Sequence, residues 1–225
     1  MSEKILMIET STECCSVAVC DGLRILASRL DETPRRQSSM LVPYIVEILQ
    51  EAGLEGGNLD AVAVSEGPGS YTGLRVGVST AKGYCFGAGK PLLGIDTLQI
   101  LACQAEGTFD RIVAMIDARR MEVYAASFDG SGRKISPTEA VILDAGSYRA
   151  ELEAGSVLFI GTGTKKFQEI CPHPNAFFRE CPPLATAMAV PALEALQKKE
   201  FKDVAYFEPF YLKEFVAGVS KRAVL

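Results

Sequence analysis

A chain of 225 residues, 48% apolar and 23% charged, with a mean hydropathy of +0.16, has ample material for a core in one large domain or two compact ones. That composition argues against disorder, and no stretch approaches the ~18 uninterrupted apolar residues of a membrane span. The formal charge of −5 counts against a stand-alone nucleic-acid binder, since such affinity comes mainly from cations replacing condensed counterions.

Lys4 to Glu9 is apolar, then acidic; the run is too short for an export signal and suits a first strand. After Thr10-Ser11-Thr12, Ser16 to Cys20 reads as a strand ending in the hairpin signal Asp21-Gly22, with Leu23 to Leu30 returning. Thr33-Pro34 predicts an N-cap with proline at the first helical position. The helix that follows carries Met40, Leu41, Tyr44, Ile45, Ile48 and Leu49 on one apolar stripe and stops at Gly53. Ala61 to Ser65 is a short buried strand, Gly67-Pro68-Gly69-Ser70 a tight loop, and a second helix spans about Thr72 to Phe86. Leu92 to Ile95 is a strand, and Asp96-Thr97 caps a helix to about Ala105.

The pattern then repeats. Arg111 to Asp117 has the shape of Lys4 to Glu9, a cation, an apolar run, then a carboxylate. Glu122 to Phe128 ends in Asp129-Gly130 as the first copy ends in Asp21-Gly22, and SVLFIG at 156–161 with Gly161-Thr162-Gly163-Thr164 echoes the strand before Gly67. Leu184 to Lys199 reads as a helix and Glu208 to Leu212 as an extended closing segment. The repeat implies an α/β fold of two related lobes on a β-β-β-α-β-α plan, residues 1–105 and 106–225, with part of the C-terminal helix packed on the first. Chance likeness of two buried hairpins is the alternative. Such a pair of lobes is similar to the duplicated sugar-kinase/Hsp70/actin (ASKHA) fold. That resemblance implies that Thr10, Ser11 and Thr12 offer hydroxyls and N–H groups to phosphate and that Glu9 holds a magnesium-bound water. A Thr/Ser-rich turn is otherwise simply a turn. Arg119-Arg120-Met121 stands where a small second turn would close on phosphate, so the two lobes together are not suited to hydrolysing a nucleotide.

Two scarcities exclude most other chemistry. His173 is the single histidine, boxed by Pro172 and Pro174, so neither HExxH nor any two-histidine zinc set exists. The seven cysteines contain no CxxC and read as free thiols of a reducing compartment. The dibasic pairs Arg35-Arg36, Arg119-Arg120, Lys165-Lys166 and Lys198-Lys199 are dispersed and read as solvated faces.

The most informative stretch is EGPGSYTGLRVGVSTAKGYCF, residues 66–86. Gly73, Gly77 and Gly83 lie within a helical run at about 1 kcal/mol each relative to alanine, a penalty that needs an offset. Gly73, Gly77 and Ala81, spaced by four, form a small-residue stripe; it either lets a second helix come close or packs on this chain's own sheet. Gly67-Pro68-Gly69-Ser70 lacks the Gly-Lys-Ser/Thr of a P-loop.

ILMIETSTECCSVAV, SEGPGSYTGLRVGVSTAKG, GIDTLQILA, IDARRMEVYAA and EPFYLKEF, spread over nearly the whole chain, together resemble the TsaB (YeaZ) family of the bacterial tRNA threonylcarbamoyladenosine machinery. The resemblance implies a non-catalytic subunit related to TsaD but without its metal-binding histidines. It implies a heterodimer with TsaD, joined by the ATPase TsaE, that supports threonylcarbamoyl transfer to N6 of adenosine 37 in tRNAs reading ANN codons. It also implies homodimers, tRNA reached only through the complex, no catalytic residue, metal or cofactor, no membrane, and a cytoplasmic location. The family contact surface, carried onto this chain, comprises Met40, Tyr44 and Ile48 on the first helix and Gly73, Val76, Gly77, Thr80, Ala81 and Tyr84 on the second, with Ser38 and Arg75 at the rim. For Tyr44 and Ile48, ordinary core packing is the competing reading. Glu9 stands where an aspartate is common in the family, Gln37 where a histidine often is, and Tyr71 where phenylalanine is common.

A scaffold subunit is therefore the leading expectation, and an ATP-binding sugar-kinase-like phosphotransferase using Glu9 and Asp117 the alternative. Gly77→Leu is expected to leave the lobe folded and abolish pairing with TsaD.

Overall fold

The computed structural model describes residues 3–54 and 58–213. Strands β1 (Lys4–Glu9), β2 (Cys15–Asp21) and β3 (Arg24–Asp31) form an antiparallel meander. On the other side of β1, β4 (Ala61–Gly67) and β5 (Leu92–Asp96) add parallel strands, giving the order β3-β2-β1-β4-β5. The second sheet repeats the plan. Its meander is β6 (Arg111–Asp117), β7 (Glu122–Asp129) and β8 (Glu139–Ile142), and β9 (Val157–Ile160) and β10 (Ala176–Arg179) are parallel to β6. Its order, β10-β9-β6-β7-β8, matches the first strand for strand, so the repeat read in the sequence is a duplicated topology.

The period of two along each central strand decides which helices cover which face. Leu6 and Ile8 of β1 face α1 (Gln37–Glu51) and α2 (Tyr71–Ala88), packing with Leu41, Ile45, Ile48 and Val78. Ile5 and Met7 face a 3-10 turn, Ala185–Met188, and α6 (Ala189–Gln197), so this late segment of the chain covers the first sheet. In the second lobe Ile112, Ala114 and Ile116 meet Leu98 and Leu101 of α3 (Thr97–Ala102). Val113 and Met115 meet Leu152 of α4 (Arg149–Ala154) and Phe167 of α5 (Thr164–Gln168), beside an edge-on Phe159–Phe167 pair at 4.9 Å. Ile100 of α3 belongs to the first sheet's cluster while its neighbours belong to the second. Helix α3 thus lies between the sheets, and α6 covers the same face of the first sheet beside it.

Local chemistry explains where the elements begin. Asp96 caps α3, its Oδ1 accepting the Leu98 N–H at 2.7 Å, and Gly53 ends α1 at φ 64°. The expected cap at Thr33-Pro34 is not used. Asp31 Oδ1 accepts the Thr33 N–H at 2.9 Å, Arg35 adopts φ 66°, and α1 starts at Gln37 without a side-chain cap. The C-terminal helix is split, a 3-10 turn leading into α6.

The glycine stripe of α2 lies inside the lobe. A Cβ on Gly73 would overlap the carbonyl oxygen of Thr10, and one on Gly77 would overlap the Thr10 hydroxyl and touch Val64. Ala81 is fully buried in the same cluster. This corrects the assignment of Gly73, Gly77 and Ala81 to a partner surface: their small size admits the β1–β2 turn of this chain. Gly77→Leu would accordingly disrupt the lobe itself. Gly83, by contrast, points into open space. Urea unfolding should separate the two kinds of glycine. Gly73→Ala should lose about 2 kcal/mol or more by overpacking, whereas Gly83→Ala should gain up to ~1 kcal/mol of helix propensity; equal effects would mean that α2 is not seated on Thr10.

Candidate functional site

The lobes enclose a cleft of about 1050 Å³, floored on one side by Ser11, Thr12 and the start of α2 and on the other by Asp117, Arg119 and Thr162. The polar groups of the first turn are only partly engaged: Glu9 Oε2, Ser11 Oγ and Thr12 Oγ1 are buried without a hydrogen-bond partner. Thr10 Oγ1 donates to the Gly73 carbonyl at 2.8 Å, Ser11 N–H donates to Glu9 Oε1 at 2.6 Å, and Ser11 O accepts the Ser70 N–H at 2.6 Å. Gln37 Nε2 donates to the carbonyls of Thr12 and Glu13 at 2.9 and 2.7 Å, tying α1 to the same turn.

Glu9, Thr10 and Ser11 are buried, and Thr12 is half-buried. Desolvation pushes the Glu9 carboxyl from 4.5 up to about 7, against the lowering effect of the Ser11 and Ser65 polar groups beside it, of which the Ser11 N–H donates to it. A carboxyl sealed in this way is poorly placed to hold a magnesium-bound water in the cleft. Of the expected nucleotide set Glu9, Thr10, Ser11 and Thr12, burial thus sets Glu9 back from the cleft and Thr10 is held against α2, while Ser11 and Thr12 line the cleft.

The second turn is built the opposite way. Asp117 is exposed, and its Oδ1 accepts the Arg119 N–H at 2.6 Å and faces Lys166 Nζ at 3.0 Å. Arg119 and Arg120 take φ of 72° and 49°, a region unusual for residues with a side chain. At the mouth of the cleft, the chain's late segment crosses from one lobe to the other. Phe210 N–H donates to Glu66 O at 2.7 Å, the Tyr211 ring lies 4.8 Å from that of Tyr71, and Arg75 sits 4.2 Å over Tyr71 while donating to the Tyr211 hydroxyl. Lys213 then pairs with Glu122 of the second lobe at 2.5 Å. Glu214 and Phe215 of the EPFYLKEF block lie outside the described residues.

The proposed contact residues on α1 and α2 fall into two groups. Ile48, like Gly73, Gly77 and Ala81, is buried under this chain's own sheet. Met40, Tyr44, Val76, Thr80 and Tyr84 are half-buried, with the Tyr44 hydroxyl donating to Asp31 at 2.9 Å, and Arg75 is exposed. The outward faces instead display Val42 and Val46, 57% and 47% exposed, and Phe86, 85% exposed, beside the bare Gly83. The heptad-like spacing of Val42 with Val46, and of Ser79, Gly83 and Phe86, was the available signal for that face.

Among the described residues no three His, Cys, Asp or Glu side chains are grouped to hold a metal ion, and no helix is long and apolar enough to cross a membrane. The seven thiols are unpaired.

The family model described as "TsaD: tRNA N6-adenosine threonylcarbamoyltransferase" matches residues 31–221. The "tRNA threonylcarbamoyladenosine biosynthesis protein TsaB" of Escherichia coli is 31% identical over 223 residues, 95% of this chain and 96% of that one. The chain belongs to the TsaB family. YeaZ from Pseudomonas aeruginosa superposes with a TM-score of 0.83 at 30% identity, over 93% of this chain and all of the other. The activator of 2-hydroxyisocaproyl-CoA dehydratase from Clostridium difficile, solved with bound ADPNP, shares the fold at a TM-score of 0.51 and 10% identity, over 89% of this chain and 98% of that one. TsaB membership thus sits on a two-lobed ASKHA-like α/β fold.

The buried carboxyl has a measurable consequence. The folded chain keeps on Glu9 a proton that the unfolded chain releases above pH 4.5, so stability falls as pH rises from about 4.5 to about 7 and is level beyond. At 1.36 kcal/mol per pKa unit the loss is about 3 kcal/mol. Glu9→Gln retains the acceptor for Ser11 N–H and removes the titration. Denaturant unfolding at pH 5 and pH 8 should show a smaller pH effect in the variant by most of that amount; an undiminished drop would assign the proton elsewhere.

Proposed function

We propose that this chain is a non-catalytic partner subunit in tRNA threonylcarbamoyladenosine biosynthesis, which pairs with TsaD through the outward face of α1 and α2. The observation that carries the reading is that face: Val42, Val46 and Phe86 stand in solvent on helices whose inner stripes are fully engaged by the first sheet. Exposed apolar side chains on two helices that pack side by side favour a protein partner. Arg75, at the edge of the same face, supplies a guanidinium for a partner carboxylate. Family membership supports the pathway, the bare Gly83 lets a second helix approach, and the same face serves a homodimer when TsaD is absent. In this reading TsaE joins the pair and tRNA is modified by the assembly, in the cytoplasm, with this subunit holding no cofactor.

The phosphotransferase alternative asks Glu9 to present a charged carboxylate to the cleft, and burial opposes that. The scaffold reading makes its own demand. Val46→Asp combined with Phe86→Asp should abolish co-elution with TsaD in size-exclusion chromatography while shifting the thermal midpoint little, because both side chains are exposed. A pair that survived the double substitution would place the docking face elsewhere.

A further inference from the structure

The two copies of the central hairpin have met opposite fates. In the first lobe Thr10 and Ser11, which open the turn after the central strand, are buried beneath α2; in the second, Arg119 and Arg120 stand in the equivalent turn and are exposed. A hairpin turn that needs φ > 0 at two positions is ordinarily built from Asn, Asp or Gly, and an arginine there costs roughly 1 kcal/mol or more. Here the conformation is held from several sides. Asp117 Oδ1 accepts the Arg119 N–H, Arg119 O accepts the Glu122 N–H at 3.1 Å, and Lys166 Nζ donates to the carbonyls of Arg120 and Glu122 at 2.7 and 3.0 Å.

The surrounding charges are lopsided. Around the turn gather Arg119, Arg120, Lys166 and Lys213, with Lys165 on α5; of the carboxylates nearby, Asp117 is ion-paired with Lys166 and Glu122 with Lys213, and the exposed Glu169 lies one helical turn from Lys165. Among the described residues the guanidiniums of Arg119 and Arg120 and the exposed ammonium of Lys165 have no ion-pair or hydrogen-bond partner. Glu13 and Glu32 of the first lobe and Glu180 of the second, all exposed, also line the cleft and repel an anion from its interior. The attractive surface is therefore the outer rim, running from Arg119 over Arg120 to α5. A free nucleotide seeks an enclosed pocket; an extended polyanion suits a rim.

We propose that the Arg119-Arg120 turn, with Lys165 beside it, is a docking surface for the phosphate backbone of RNA. The proposal deepens the scaffold reading, since it rests on the chain working on tRNA and gives the subunit a direct, sequence-independent contact with that substrate. Guanidinium forks suit paired phosphate oxygens, and two or three such contacts bind weakly and fall off steeply with salt. A net charge of −5 over the whole chain is compatible with this, because a local cluster of cations sets the potential at its own surface.

The test uses the full chain, fluorescently labelled unfractionated tRNA as probe, and anisotropy titrations between about 25 and 200 mM KCl. The informative variant is Arg119→Gly with Arg120→Gly, because glycine accepts both positive φ values and removes both charges. We expect a thermal midpoint equal to or above that of the parent, affinity at about 50 mM salt lower by about tenfold, and a log–log salt slope shallower by about 1.5 to 2. Pairing with TsaD should be unchanged, whereas Val46→Asp with Phe86→Asp should keep the RNA affinity and lose TsaD, so the two proposals fail separately. Three results would overturn the RNA surface: no tRNA binding by the parent at 50 mM salt, unchanged affinity and slope in the glycine variant, or displacement of tRNA by polyglutamate as readily as by unlabelled tRNA at equal charge. The last would make the turn a contact for an acidic protein segment.

Discussion

The close approach between α2 and the first turn governs the first lobe. Thr10 reaches the helix at two levels, its carbonyl against Gly73 and its hydroxyl against Gly77, while the Ser11 backbone occupies the space beside Gly69. Each helical glycine costs about 1 kcal/mol of propensity, and only side-chain-free positions leave room for that backbone. The contact fixes α2 on the sheet, buries Glu9, and turns the helix's other stripe to solvent.

Duplication followed by divergence explains the asymmetry of the cleft. In the second lobe the loop before α5 makes a comparable approach: Gly163 N–H donates to Met115 O at 3.1 Å, and Gly161, at φ 120°, leaves no room for a side chain beside that carbonyl. Yet that contact falls on Met115, two residues before Asp117, rather than beyond the end of the strand. The carboxylate and the turn after it are left in water. A shift in the level at which the loop meets the central strand is enough to separate a sealed carboxyl from an exposed arginine pair.

Much of this was legible in the sequence, for identifiable reasons. The central strands were readable because both of their faces are covered, which leaves short apolar runs bounded by carboxylates and turns, and the repeat followed from matching those runs. Strands β8 and β10 were missed because they are four-residue edge strands whose side chains are mostly exposed or half-buried and carry little apolar pattern. The α1 start was misplaced because Asp31, two residues upstream, captured the Thr33 N–H. The small-residue stripe was recognised but faced the wrong way in the partner reading: helical spacing reveals which residues share a face, and only the distant contact between residues 10 and 73 reveals what that face meets. The identity of the family, by contrast, lay in motif blocks that survive independently of which way each side chain points.

A scaffold must hold its binding surfaces in fixed relation, and the architecture supplies the means. The proposed TsaD face lies on the first lobe and the arginine turn on the second, so their relative position depends on what joins the lobes. Helix α3 contributes Ile100 to one sheet's core and Leu98 and Leu101 to the other's, and α6 returns from the end of the second lobe to cover the first sheet. Each lobe is therefore completed by chain from the boundary of the other, which resists hinge motion more than a single linker would. The crossing at the cleft mouth adds a third tie, from Arg75 and Tyr71 through Tyr211 to Lys213 and Glu122. Because Arg75 also borders the outward helical face, a partner carboxylate that engaged it would compete with the Tyr211 hydroxyl. Occupancy of the first-lobe face would then reach the cleft mouth through one side chain, without any movement of the core.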